Sequence, residues 1–110
     1  MYVKHKVNQV CTKIVSPILP EVDCPALVLL GKKDIQVVWQ TDGPIFEEMV
    51  KKQANLKLAY AENANHVLKV EPKHLSELTP ADIMASYNAD TAGLDDQAVE
   101  IILSWLEARL

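Results

Sequence analysis

With 110 residues, 49% of them apolar and 24% charged, the chain has material for one domain with its own core, small for an α/β fold. A net charge of −4 with Lys and Arg scattered along the chain excludes a nucleic-acid surface, which needs a clustered basic stripe. No apolar run approaches the roughly 20 residues of a membrane span, and two cysteines, Cys11 and Cys24, make no secreted disulfide framework.

The segment after Lys4, His5 and Lys6 is too polar for a signal peptide, so a reduced, cytoplasmic setting is expected. Val3, Val7, Val10 and Ile14 recur at helical spacing with Cys11 on the same side, which predicts a helix near 3–15 within an N-terminal segment 1–15. Ser16-Pro17 and Leu19-Pro20 break it. Ala26 to Leu30 is a continuous apolar run ended by Gly31, the pattern of a parallel strand buried on both faces. Gly31 is expected to permit a tight turn.

After a loop containing Trp39, Thr41-Asp42-Gly43-Pro44 reads as a helix start with Pro44 in the first turn. Ile45, Phe46, Met49, Val50 and Ala54 share one stripe, and Glu47–Lys51 and Glu48–Lys52 are spaced as i,i+4 ion pairs. Leu56 to Tyr60 reads as a second strand. The stretch from Val70 to Gly93 is the least regular, although Thr79-Pro80-Ala81-Asp82 can open a short helix toward Tyr87. Asp95 reads as the cap of a last helix, with Leu94 and Val99 spaced as a hydrophobic staple. Val99, Ile102, Leu103, Leu106 and Leu110 would form its buried face. The order helix, strand, helix, strand, helix predicts one α/β domain over 1–110, a parallel β-α-β unit with right-handed crossover and flanking helices.

Two segments carry candidate chemistry. Gly31-Lys32-Lys33-Asp34 and Asn65-His66-Val67-Leu68-Lys69 each follow a predicted strand, so they set an acid and a histidine at the C-terminal strand ends, where open α/β sheets hold their working residues. Aspartate orients a histidine and stabilises its imidazolium, and histidine exchanges protons near neutral pH. Taken singly, Asp34 is also an ordinary turn residue and His66 an ordinary surface one; together they are more informative. The spacing of His74 from His66 fits no standard metal-ligand pattern, and Cys24 has no local histidine partner. Ser16, Ser76, Ser86 and Ser104 lack the glycine-flanked elbow that exposes a nucleophile. Trp39, Met49 and Trp105 read as packing residues.

The run from Cys24 to Val37, CPALVLLGKKDIQV, resembles the triad-acid segment of α/β-hydrolases, commonly P-V-L-x-L-x-G-x-x-D-x-x-V, and Ala64 to Lys69, ANHVLK, resembles their histidine segment. The bacterial serine esterase and acyl-peptidase-like group is the most similar. The resemblance spans about 16–110. It implies the last two strands of an eight-stranded sheet, with Asp34 as triad acid and His66 as base. It also implies a small-molecule ester or amide substrate for the parent enzyme and no metal or organic cofactor. The Gly-x-Ser-x-Gly elbow, which would come first, appears nowhere in the sequence. The chain is therefore expected to be the C-terminal portion of such a hydrolase, inactive alone. The alternative expectation is a stand-alone, non-catalytic α/β interaction module. Either way, the first strand would carry an unpaired apolar edge, so a homodimer or higher oligomer is expected, through that edge or by exchange of the N-terminal helix.

Overall fold

Parallel pairing of the two apolar runs organises the fold. A computed structural model describes residues 21–90 and 92–110; the helix predicted near 3–15 lies outside them, as does Cys11. Strand β1 (Ala26–Gly31) pairs in parallel with β2 (Leu56–Ala61), with Ala26 opposite Leu56 and Gly31 opposite Ala61. The result is a two-stranded parallel sheet flanked by helices, an α/β arrangement.

Strand side chains alternate between faces, and each face has its own helix. Helix α1 (Trp39–Lys52) covers the side of Tyr60. It begins at Trp39, two residues before Thr41, so Trp39 is helical where a loop was expected and Pro44 stands inside the helix. The Val38 carbonyl closes the first turn by accepting from the Thr41 and Asp42 N–H groups at 3.0 and 2.9 Å. Trp39 itself is held edge-on to Tyr60, 5.7 Å between ring centroids. Phe46 is the buried anchor of the predicted stripe, whereas Ile45 is exposed and Ala54 lies beyond the helix end. The expected i,i+4 pairs are replaced. Lys51 meets Glu48 at i,i+3, 2.9 Å away, and Glu47 accepts from the Tyr60 hydroxyl at 2.8 Å. A Cβ on Gly43 would lie 2.5 Å from that hydroxyl oxygen, so any larger residue there would displace the Tyr60 side chain.

The chain after β2 forms a 3₁₀ turn (Leu75–Glu77) and helix α2 (Pro80–Tyr87). The helix opens at the Thr79-Pro80-Ala81-Asp82 segment, as expected, and Thr79 and Asp82 cap it reciprocally. Helix α3 (Asp96–Glu107) covers the other sheet face, and the Asp95 carboxylate caps it by accepting from the Ala98 N–H at 2.9 Å.

The face that α3 buries differs in part from the expectation, with Val99 and Ile102 half-buried and the leucines exposed. Ala98 meets Ala61 and Ala64 in a fully buried cluster, with Leu29 and Leu68 packed against it. Three alanines let helix and sheet approach closely, which commits that side of α3 to the core. The leucine stripe points away: Leu103 is 52% and Leu106 44% exposed, and Leu110 is fully exposed. The Leu94–Val99 staple is also not the organising contact. Leu94 is 61% exposed, and its backbone bridges antiparallel to Lys69. Among the described residues no helix is long and apolar enough to cross a membrane.

Candidate active site

Both candidate residues sit just past the C-terminal ends of the paired strands, and the structure brings them together. The Asp34 carboxylate Oδ2 lies 2.8 Å from His66 Nδ1. Asp34 is 4% exposed, while the His66 side chain retains 39% exposure. The acid is therefore shielded and the base faces outward.

Local backbone explains the aim of each side chain. The other Asp34 oxygen, Oδ1, accepts from the Gln36 and Val37 N–H groups at 2.7 and 3.0 Å. This aspartate turn leads the chain from β1 toward α1 and fixes the carboxylate. Asn65, fully buried, does the equivalent work under the histidine. Its Oδ1 accepts from the Val67 and Lys69 N–H groups at 3.1 and 3.0 Å, and its own N–H donates to the Lys69 carbonyl at 2.9 Å. The tight loop this makes puts Leu68 at φ 62°, in the left-handed region, which costs a non-glycine residue roughly 1–2 kcal/mol. Leu68 is retained there because its side chain packs on the alanine cluster and its carbonyl accepts from the Asp95 N–H at 2.8 Å.

The two loops are laced directly. Lys32 N–H donates to the Ala61 carbonyl at 2.9 Å and Lys33 N–H to the Ala64 carbonyl at 3.0 Å. The Lys33 ammonium reaches the Glu71 carbonyl at 3.1 Å and also the Lys73 carbonyl. Gly31 has a different reason from the turn expected of it. Its φ is not positive, but a Cβ there would sit 2.3 Å from the Ala64 carbonyl oxygen. The absence of a side chain lets the histidine loop lie across the strand end.

A third side chain, Tyr87 from the end of α2, was not marked as functional by the sequence. Its ring stacks on the His66 imidazole, 6.4 Å between centroids and 19° between planes. Its hydroxyl accepts from Gln36 Nε2 at 3.2 Å. Burial pushes the Tyr87 pKa above its usual value and the Asp34 charge adds to this, while the His66 backbone N–H acts in the opposite direction. The aromatic at the C-terminus of a capped helix was visible in the sequence, but nothing local said it would return to His66.

Other candidates do not join the pair. His74 is exposed before the 3₁₀ turn, and no group of three or more His, Cys, Asp or Glu able to hold a metal ion occurs among the described residues. Cys24 is an exposed free thiol. The Ser86 hydroxyl donates to the Ile83 carbonyl at 3.2 Å, Ser76 is exposed, and Ser104 lines a shallow groove between α3 and β2. Ser16 lies outside the described residues.

A carboxylate accepts hydrogen bonds and does not donate them. The Nδ1 proton of His66 therefore lies toward Asp34, leaving Nε2 of the neutral imidazole as a base. An acid–imidazole pair of this kind can draw a proton from a hydroxyl or water and later return it. No protein-family model matches the chain, and no match is found among curated proteins or solved structures.

Proposed function

We propose that this chain supplies the acid and base of an α/β-hydrolase-type Ser–His–Asp triad, acting on carboxylic ester or amide bonds, with the serine outside these 110 residues. The observation that carries this reading is the 2.8 Å contact between a buried aspartate and a half-exposed histidine at the same end of adjacent parallel strands. The G-x-x-D and N-H segments stand in the chain order acid, then histidine, and a closing helix follows, like that of the family they resemble. Asn65 Nδ2 is buried with no hydrogen-bond partner among the described residues, a group that an acceptor on additional chain would stabilise.

In this reading His66 Nε2 removes the serine proton as the hydroxyl attacks the acyl carbon. Asp34 stabilises the imidazolium so formed, and the proton then passes to the departing alcohol or amine. Without a nucleophile the chain by itself turns over no ester.

The test is made on the protein that joins this segment to its serine, identified by sequencing the DNA on the 5′ side. There His66→Ala and Asp34→Asn should each lower kcat for a p-nitrophenyl ester by roughly 10³–10⁴-fold. Near-normal turnover by His66→Ala would overturn the assignment.

A second reading, a non-catalytic interaction module that pairs with a second copy, is favoured by one observation. Leu103 and Leu106 on α3 and Leu110 just beyond it are exposed, and each strand has an unpaired edge among the described residues. A mass that rises with concentration in light scattering, with no esterase activity in the joined protein, would favour the module. A constant monomeric mass counts against it.

A further inference from the structure

We propose that Tyr87 is a positioning residue that clamps the His66 imidazole against Asp34, an inference that rests on reading those two side chains as an acid–base pair. Three links converge on the end of α2. The Tyr87 ring lies nearly parallel to the imidazole, 19° between planes, and so opposes rotation of the histidine away from the carboxylate. The Tyr87 hydroxyl accepts from Gln36 Nε2 at 3.2 Å, while the backbone N–H of the same Gln36 donates to Asp34 Oδ1 at 2.7 Å. One residue thus ties the acid and the tyrosine together. The third link comes from the histidine loop. Lys69 Nζ donates to the Tyr87 carbonyl at 2.8 Å and reaches the Ala89 carbonyl at 3.4 Å, placing a cation at the negative end of α2.

The arrangement has a physical purpose. The His66 ring is more than a third exposed, and a half-solvated imidazole hydrogen-bonded through one nitrogen alone remains free to swing and to exchange its Nδ1 proton with water. Tyr87 flanks the imidazole with its ring plane 19° from that of the histidine and its centroid 6.4 Å away. Small misplacements of a base are costly, since near-attack geometry is lost within about 1 Å. The segment between β2 and α3 thereby acquires a task beyond connection: it delivers Tyr87 to the dyad.

The experiment is nuclear magnetic resonance of the ring-¹⁵N-labelled chain, reading the His66 tautomer and the exchange rate of its Nδ1 proton. Four proteins are compared: the unmodified chain, Asp34→Ala, Tyr87→Ala and Tyr87→Phe. Loss of the Nδ1–H signal in Asp34→Ala supports the acid–base pair; an unchanged signal refutes that pair and the clamp with it. With the pair intact, Tyr87→Ala should speed Nδ1–H exchange by roughly 10-fold or more and mix the two tautomers. Tyr87→Phe, which keeps the ring and loses the tether to Gln36, should fall between. Exchange in Tyr87→Ala equal to that of the unmodified chain, with Asp34→Ala clearly altered, overturns the clamp and leaves the dyad standing. Gln36→Ala removes the tether without touching α2. It decides the matter by the same readout if Tyr87→Ala fails to fold: faster exchange supports the clamp, and unmodified exchange overturns it.

Discussion

Gly31 and Asn65 hold the dyad together from beneath, one by having no side chain and the other through a side-chain oxygen that accepts from two backbone N–H groups. A methyl group on Gly31 would meet the Ala64 carbonyl oxygen at 2.3 Å and the Asn65 carbonyl oxygen at 2.9 Å. Both are backbone atoms and cannot swing aside. Gly31→Ala should therefore push the histidine loop off the strand end and destabilise the chain by about 1–3 kcal/mol. Urea unfolding measures that cost, and the Nδ1–H resonance of His66 should weaken in the same variant. A variant as stable as the original, with the resonance unchanged, would mean that the loop has slack the close approach does not suggest. Asn65 bears on the histidine through Oδ1, which fixes the Val67 and Lys69 N–H groups on either side of the left-handed Leu68. Its partners are local, yet the sequence alone assigned it no role of its own, and the burial that makes it costly to replace comes from packing.

Elements that rest on local chemistry were legible in the sequence. The Asp95 cap, the helix start at Thr79-Pro80-Ala81-Asp82 and both strands lie where their residues predicted them. What packing decided was not legible. Trp39 joins α1 because Tyr60 across the layer gives its ring a partner, and α3 turns Ala98 inward because Ala61 and Ala64 oppose it. A leucine stripe is the stronger periodic signal, yet three small residues permit the closer approach. The contact between Tyr60 and α1 also carries a pH signature. Burial first, and then the hydrogen bond to Glu47 and its charge, raise the Tyr60 pKa from 10.0 to about 12. The folded state thus keeps its phenol protonated where the unfolded chain has lost that proton. The associated stability is complete below pH 10 and declines as pH rises toward about 12. Tyr60→Phe should flatten the alkaline decline seen in thermal melts between those limits. An equally steep decline in that variant would assign it to other groups.

At the scale of the whole molecule, the described residues make two layers of helix around a sheet of two strands, with apolar side chains left outside. Leu103 and Leu106 stand on the outer side of α3, so Leu106→Glu should reduce binding of a hydrophobic dye and any self-association, at little cost in stability because the site is already open. Unchanged dye binding would place the exposed apolar surface elsewhere. The parallel register has a consequence of another kind. Asp34 follows β1 by three residues and His66 follows β2 by five, with Gly31 opposite Ala61. A slip of two residues between the strands would preserve which side chains face each helix, yet move His66 about 6–7 Å along the sheet relative to Asp34. Apolar burial alone discriminates poorly against such an error, whereas the acid–imidazole hydrogen bond cannot survive it. The dyad thus works as a vernier for the strands: the intensity of one imidazole proton meters the fraction of molecules that have folded in the correct alignment.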